Sequence, residues 1–231
     1  MAIFAAMKLL NYAMKRTLLS PPFSLFREFL AWIVEADKQF VIIGNMNAIT
    51  YKEAFLLIKN DKMWLGNGFH AGNAYFSTPF ANEYGEGIYN PETGLVKFRN
   101  VCWFTNLDHG RRHQPLPLMS MIDNLRFSKH KEIKGKQSYD KYDNYDAIEV
   151  PFTDAIPSDY DGVMGVPISF LDKYCPEQFE IIGSSRELGV PMSEVAEKGT
   201  YVQGGPRFYL SNGDGTHRRM YDRLVIKKRI L

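Results

Sequence analysis

Apolar positions recur along this chain in two rhythms, and the switches between them mark the predicted elements. Leu25, Phe26, Phe29, Leu30, Ile33 and Val34 repeat at helical spacing, with Arg27, Glu28 and Glu35 mostly opposite. That pattern predicts an amphipathic helix, with Ser24 placed to cap it. The run Phe40-Val41-Ile42-Ile43-Gly44-Asn45 is short, uncharged and rich in β-branched residues, as in a strand buried on both faces of a parallel sheet. A second helix is expected from Thr50, and Met63-Trp64-Leu65-Gly66 reads as another strand. Ahead of all these, Ile3, Phe4, Met7, Leu10 and Met14 lie close to helical spacing, so residues 1–19 predict a helix. Helix and strand alternating in this way imply an α/β class.

The rhythm then weakens. Residues 66–94 are rich in Gly, Asn and Tyr and predict a long mobile loop. Residues 96–106 partly alternate and read as one strand. Further on, residues 163–171 predict a strand and short helix and residues 179–183 a final strand. In the tail, the alternating Arg207-Phe208-Tyr209-Leu210 turns at Asn212-Gly213 and returns through Tyr221 to Ile230, a hairpin signature. No linker or internal repeat divides the chain.

Composition adds little until charge is placed along the chain. The 231 residues are 45% hydrophobic and 23% charged, ordinary for one large domain or a domain with a subdomain. The formal net charge of +2 conceals an uneven distribution. Residues 104–138 hold seven basic against three acidic side chains, residues 139–180 two against ten, and residues 216–231 six against one. The two basic blocks can meet phosphates or pair with the acidic one. Cys102 and Cys175 are isolated, which excludes a disulfide framework and fits a reducing, cytoplasmic setting. No stretch reads as a signal peptide or a membrane span, so no membrane partner is expected.

One short stretch carries chemistry. In Ser20-Pro21-Pro22-Phe23 the serine offers a side-chain acceptor, the prolines hold the backbone extended, and the phenylalanine gives a stacking face. These parts suit the exocyclic amine of a flipped-out base. Asn45 and Asn47, beyond the end of the predicted strand, are candidates for polar contacts at the same crevice or for capping the following helix.

With that stretch, residues 40–53, 102–109, 141–148 and 159–183 fall in an order that resembles the EcoRI-type adenine-specific DNA methyltransferases. The likeness runs from about Ser20 to the C-terminus. It implies a partial Rossmann-like methyltransferase sheet followed by a mixed α+β recognition region, with residues 1–65 the C-terminal half of the catalytic domain and 66–231 a target-recognition region packed on it. It implies methyl transfer from S-adenosyl-L-methionine to adenine N6 in double-stranded DNA, within a restriction-modification system. Ser20 and the Pro21 carbonyl would accept hydrogen bonds from the amine, Pro22 would stiffen the turn and Phe23 would stack on the base. Arg111 and Arg112 are expected to contact phosphate, and Lys227, Lys228 and Arg229 either rest on the DNA backbone or form a basic edge strand.

Two departures shape the expectation. The family's motif usually begins with Asn where Ser20 stands, a residue that also opens the equivalent motif of cytosine-N4 enzymes. Residues 1–19 contain no glycine to make a cofactor-binding turn, so the cofactor residues are unassigned and the chain resembles the C-terminal part of such an enzyme. The competing reading is a non-catalytic DNA-binding remnant, or a fragment that needs a separate N-terminal cofactor-binding segment.

Other motifs carry less. The glycines of residues 66–72 have the wrong spacing for a dinucleotide loop. His109 and His113 lack a third ligand, so no metal is expected. Asp123 with Glu132-Ile133-Lys134 resembles a nuclease core without its expected Pro-Asp pair. The Tyr-Asp beat over residues 139–146 reads as a surface turn, since it lacks the acid spacing of a calcium loop.

Overall fold

A computed structural model describes residues 16–19, 23–66, 73–85 and 87–229. The predicted helix before residue 16, the Ser20-Pro21-Pro22 part of the elbow, the glycine-rich residues 67–72 and the last two residues lie outside that set. The chain is a mixed α/β structure of small sheets and few helices, in two compact units, Met1–His109 and Gly110–Leu231. Among the described residues, no helix is long and apolar enough to cross a membrane.

In the first unit, β1 (Arg16–Leu19) pairs in parallel with β2 (Gln39–Asn45), Leu19 level with Ile42. Helix α1 (Phe26–Glu35) makes the crossover between them and buries Phe26, Phe29, Leu30 and Ile33, the stripe its spacing predicts. Leu25 occupies the cap position without a side-chain hydrogen bond, and Ser24 lies in a preceding 3-10 helix, Phe23–Leu25. Strand β2 buries Phe40, Ile42 and Gly44, while the alternate positions Val41, Ile43 and Asn45 are only half-covered, so a single face is fully buried rather than both. A Cβ at Gly44 would sit 2.7 Å from the Phe26 ring and 2.9 Å from the Phe104 ring. The glycine therefore lets those rings meet, at a centroid distance of 5.0 Å.

After β2 comes a 3-10 helix, Met46–Thr50, and only then α2 (Lys52–Lys59), two residues later than the sequence implies. Strand β3 (Trp64–Leu65) follows. The expected loop of residues 66–94 instead contributes β4 (Asn73–Phe76) and β5 (Tyr89–Asn90), which flank β6 (Leu95–Arg99) in an antiparallel three-stranded sheet. At four and two residues they are too short to show a period, and pairing with β6 is what defines them.

The single strand expected over residues 96–106 is two. Asn100 takes a left-handed φ of 56° and separates β6 from β7 (Val101–Thr105), which enters the other sheet. The order there is β1-β2-β7-β3, and β7 runs antiparallel to both β2 and β3. Hence β1, β2 and β3 point the same way, with one reversed strand inserted. Asn106 clamps the start of β2, accepting from the Phe40 amide at 2.8 Å and donating to the Lys38 carbonyl at 2.9 Å. These pairings carry the first unit to His109, well past the expected division at residue 65.

The second unit holds one short α-helix among its described residues, α3 (Met121–Phe127), capped by Ser120. Its main sheet orders β10-β13-β9-β8, from β8 (Ile148–Glu149), β9 (Val163–Pro167), β10 (Phe179–Ser184) and β13 (Arg223–Lys228). Strand β13 lies between two antiparallel neighbours with Leu224, Val225 and Ile226 buried, so the edge-strand reading of the basic tail does not hold. The Asn-Gly signal does mark a hairpin, β11 (Tyr209–Ser211) with β12 (His217–Arg219), but the returning strand is β12 and not the run from Tyr221 to Ile230, which supplies β13 to the main sheet. Gly213 and Gly215, at φ 82° and 85°, turn its loop.

Nor is the Tyr-Asp beat a surface turn. Tyr139, Tyr142 and Asn144 are buried, and Asn144 donates to the Val190 and Arg207 carbonyls, both at 2.9 Å, while accepting from the Tyr209 amide at 3.0 Å. Phe208 lies 4.5 Å from the Tyr142 ring and 4.9 Å from that of Tyr145.

Candidate active-site edge and basic surface

Because β1, β2 and β3 run the same way, their carboxyl ends share one sheet edge, the usual place for a ligand in an open α/β sheet. The chain leaves β1 at Leu19 on that edge, and Phe23 opens the next 3-10 helix. The short strand 16–19 is what the elbow requires ahead of it, although residues 1–19 by themselves predict a helix.

Asn45 ends β2 at the same edge. Its Oδ1 accepts from the Asn47 amide at 2.9 Å, and Thr50 Oγ1 donates to the Asn47 carbonyl at 2.8 Å, so Asn45 does cap the following turn. Both asparagines also line a small cavity of about 180 Å³ with Phe26, Ala48 and Tyr51. The Arg27 guanidinium lies 4.2 Å from the centroid of the Tyr51 ring. Tyr51 and Arg27 escape a sequence reading because a helix crossover, not spacing along the chain, brings them together.

The basic residues singled out in the second unit are mostly engaged within the protein. Arg111 Nη2 lies 2.6 Å from Asp172 Oδ2, and Arg112 is buried. Lys228 Nζ donates to the Ser158 carbonyl and lies 3.3 Å from Asp161. Arg229 Nε donates to the carbonyls of Pro176 at 2.7 Å and Phe179 at 3.2 Å. Lys227 is exposed, in register with Glu180 on β10.

The histidines and the nuclease-like acids have other duties. His109 Nε2 meets the Leu65 carbonyl at 3.0 Å and His113 Nδ1 meets Glu177 at 2.7 Å. Asp123 exchanges hydrogen bonds with Ser120 at the start of α3.

The strongest electrostatic feature was not foreseen. Glu149 and Arg223 form a buried ion pair, Nη2 to Oε1 at 2.7 Å, and the Tyr142 hydroxyl donates to Glu149 Oε2. Burial opposes the Arg223 charge, but hydrogen bonding and attraction to Glu149 more than offset it and raise the guanidinium's pKa. Burial, with the Glu149 charge, pushes the Tyr142 phenol well above its ordinary range. Burial, with the charge of Asp159, pushes Tyr139 up to about 12.

A raised phenol pKa favours the fold while the ring is protonated in both states, and that contribution disappears as pH climbs from about 10 to 12. Ultraviolet titration is therefore expected to show two phenols that ionise only together with loss of the folded circular-dichroism signal. Ionisation of every tyrosine near pH 10 in a folded protein would contradict their burial.

Comparison with known proteins now bears on this geometry. The family model described as adenine-specific methyltransferase EcoRI matches residues 6–229. The chain is 48% identical over 166 residues to the Type II methyltransferase M.EcoRI of Escherichia coli, covering 71% of this chain and 48% of that protein. It is 32% identical over 223 residues to M.MgeORF184P of Mycoplasma genitalium, covering 90% of this chain and 63% of the relative. It is 31% identical over 224 residues to M.MpnI of Mycoplasma pneumoniae, covering 91% and 63%. The chain thus spans between about half and under two thirds of the length of these relatives. No solved structure matches it. A match that takes in both compact units, from before β1 to the end of β13, places the chain in the EcoRI family of adenine-specific methyltransferases.

Proposed function

We propose that this chain supplies the target-base half of a site-specific DNA methyltransferase of a restriction-modification system, acting on adenine N6 with S-adenosylmethionine as donor. The observation that supports the reading is the parallel register of β1 and β2, which ends β1 at Leu19, one residue ahead of Ser20 in sequence, toward the sheet edge where Asn45 ends β2. In this reading β1, β2, β7 and β3 provide part of a Rossmann-like methyltransferase sheet, and the rest of the region beyond residue 65 contributes target recognition.

An exocyclic amine is a weak nucleophile because its lone pair is delocalised into the ring. Acceptors at Ser20 Oγ and the Pro21 carbonyl hydrogen-bond its two protons and favour the tetrahedral, nucleophilic form. The two prolines fix where that carbonyl points, and Phe23 covers the face of the extruded base. Asn45 Nδ2, left over once Oδ1 has capped the turn, is a further donor at the edge. Phosphate contacts by Arg111, Arg112, Lys228 and Arg229 compete with their places inside the protein, which leaves Lys227 as the more available of the basic set.

The described residues do not fit the whole cofactor. The cavity at the strand ends is about 180 Å³, whereas small-molecule sites run to about 300–1,000 Å³. A separate N-terminal cofactor-binding segment completes the site in this proposal. The same observation favours the second reading, a DNA-binding remnant without activity.

Labelled S-adenosylmethionine and duplex DNA, followed by nucleoside digestion, separate the two. With the cofactor-binding half of a relative supplied, label is expected in N6-methyladenine. Label in N4-methylcytosine would overturn the adenine assignment. No label in any base, with duplex binding intact, would leave the remnant reading.

A further inference from the structure

A second charged site lies in the C-terminal unit, built from residues other than those expected from the sequence to contact phosphate. The turn after β10 and the loop before β11 bring Arg186 and Arg207 to a single carboxylate, Asp222, and Arg219 on β12 adds a third positive charge that acts on Arg207. Arg186 Nη2 reaches Asp222 Oδ2 at 2.7 Å and Arg207 Nε reaches Oδ1 at 2.8 Å, so two guanidiniums already use both oxygens. Arg219 has no share in it. Its side chain is exposed, and its nearest acceptor is the Gly205 carbonyl at 3.5 Å, beyond an ordinary N–H···O bond.

The guanidinium lies against the glycine loop, where a Cβ at Gly204 would stand 2.5 Å from Arg219 Nη1. Beside it opens a cleft of about 740 Å³, with Lys198, Tyr201, Gln203 and Arg207 in its lining and Glu197 as its one acid. Burial depresses the Arg207 pKa, and the charges of Arg186 and Arg219 add to this against the attraction of Asp222. Cations held together with too few counter-charges are relieved by a bound anion. Arg forks match tetrahedral phosphate oxygens, and paired glycines allow a sugar-phosphate chain to approach closely.

We propose that the cleft lined by Arg207 and Lys198, with Arg219 against its Gly204-Gly205 wall and Arg186 on the far side of Asp222, holds the phosphodiester backbone of duplex DNA. The inference rests on the DNA reading above and assigns the backbone contact to residues outside the motif set. Arg219 is the informative position, because among the described residues it makes no ion pair that the fold would miss.

Fluorescence anisotropy with a labelled duplex over a salt series tests it, using Arg219→Ala, Arg219→Lys and the exposed control Lys173→Ala. Arg219→Ala is expected to bind about 5- to 10-fold more weakly at low salt, with the slope of log affinity against log salt reduced by about 0.9, one phosphate contact. Arg219→Lys should recover most of that slope, Lys173→Ala should match the parent, and the thermal midpoint of Arg219→Ala should stay unchanged. If the parent binds duplex DNA and Arg219→Ala shows the same slope, the cleft assignment fails while the DNA reading stands. If the parent binds no duplex at all, the DNA reading fails and takes this one with it. Weakened binding of inorganic pyrophosphate by Arg219→Ala with an unaltered duplex slope would make the cleft a free-phosphate site and overturn the proposal.

Discussion

Glu149→Ala is expected to lower the stability of the C-terminal unit by about 3–5 kcal/mol, enough to unfold a marginal domain. Glu149 on β8 and Arg223 on β13 lie on opposite sides of β9, where Glu149 and Val225 are both in register with Gly165. The ion pair therefore spans the middle strand. Gly165 leaves room for the Tyr142 ring, whose hydroxyl sits so close that any Cβ there would collide with it. Removing the carboxylate strands a guanidinium that is only 9% exposed over the whole residue, with its Nε and Nη2 bonds to Glu149 gone.

The cause can be separated from simple loss of packing. The double variant Glu149→Met with Arg223→Met, made together with Tyr142→Phe so that no buried hydroxyl loses its acceptor, removes both charges and is expected to recover most of the stability, because an apolar pair of similar volume is often neutral or better. Urea midpoints of the parent, the single and the combined variant give the comparison. A combined variant no more stable than Glu149→Ala would show that the buried charge is not the source of the loss.

The second large effect concerns activity. Phe23→Ala, in protein supplied with a cofactor-binding half, is expected to cut methyl transfer by about 10- to 100-fold, since aromatic stacking on an unstacked base contributes about 1–3 kcal/mol. Salt-dependent duplex binding should remain nearly intact, because phosphate contacts dominate affinity. Methyl incorporation measured beside anisotropy on one preparation resolves the two. Parallel loss of transfer and binding would contradict a stacking role and point instead to a disturbed start of α1, which follows directly after the 3-10 helix that Phe23 opens.

Where local pattern specifies structure, it is readable here. The stripe of Phe26, Phe29, Leu30 and Ile33 and the run from Phe40 to Gly44 are each defined by their own side chains, and each appears at its expected place. The Asn-Gly turn is likewise legible, since left-handed backbone at Gly213 needs no remote partner. The family likeness also sits in the sequence itself, in a match that runs over residues 6–229.

Other features depend on which strand meets which, and no local rhythm encodes that. β4 and β5 look like loop until β6 pairs with them. Residues 96–106 look like one strand until Asn100 turns them between two sheets. Lys228 and Arg229 look like a phosphate patch until β13 is seated between β9 and β10 and their side chains reach backbone carbonyls.

The chain alone thus determined its apolar helix and strand, its hairpin turn and its family, all written in residues close together in sequence. Only the tertiary structure decided which charges are engaged inside the protein and which remain exposed. Glu149 and Arg223 stand 74 positions apart, and a pairing at that distance is set by sheet register rather than by anything their immediate neighbours dictate.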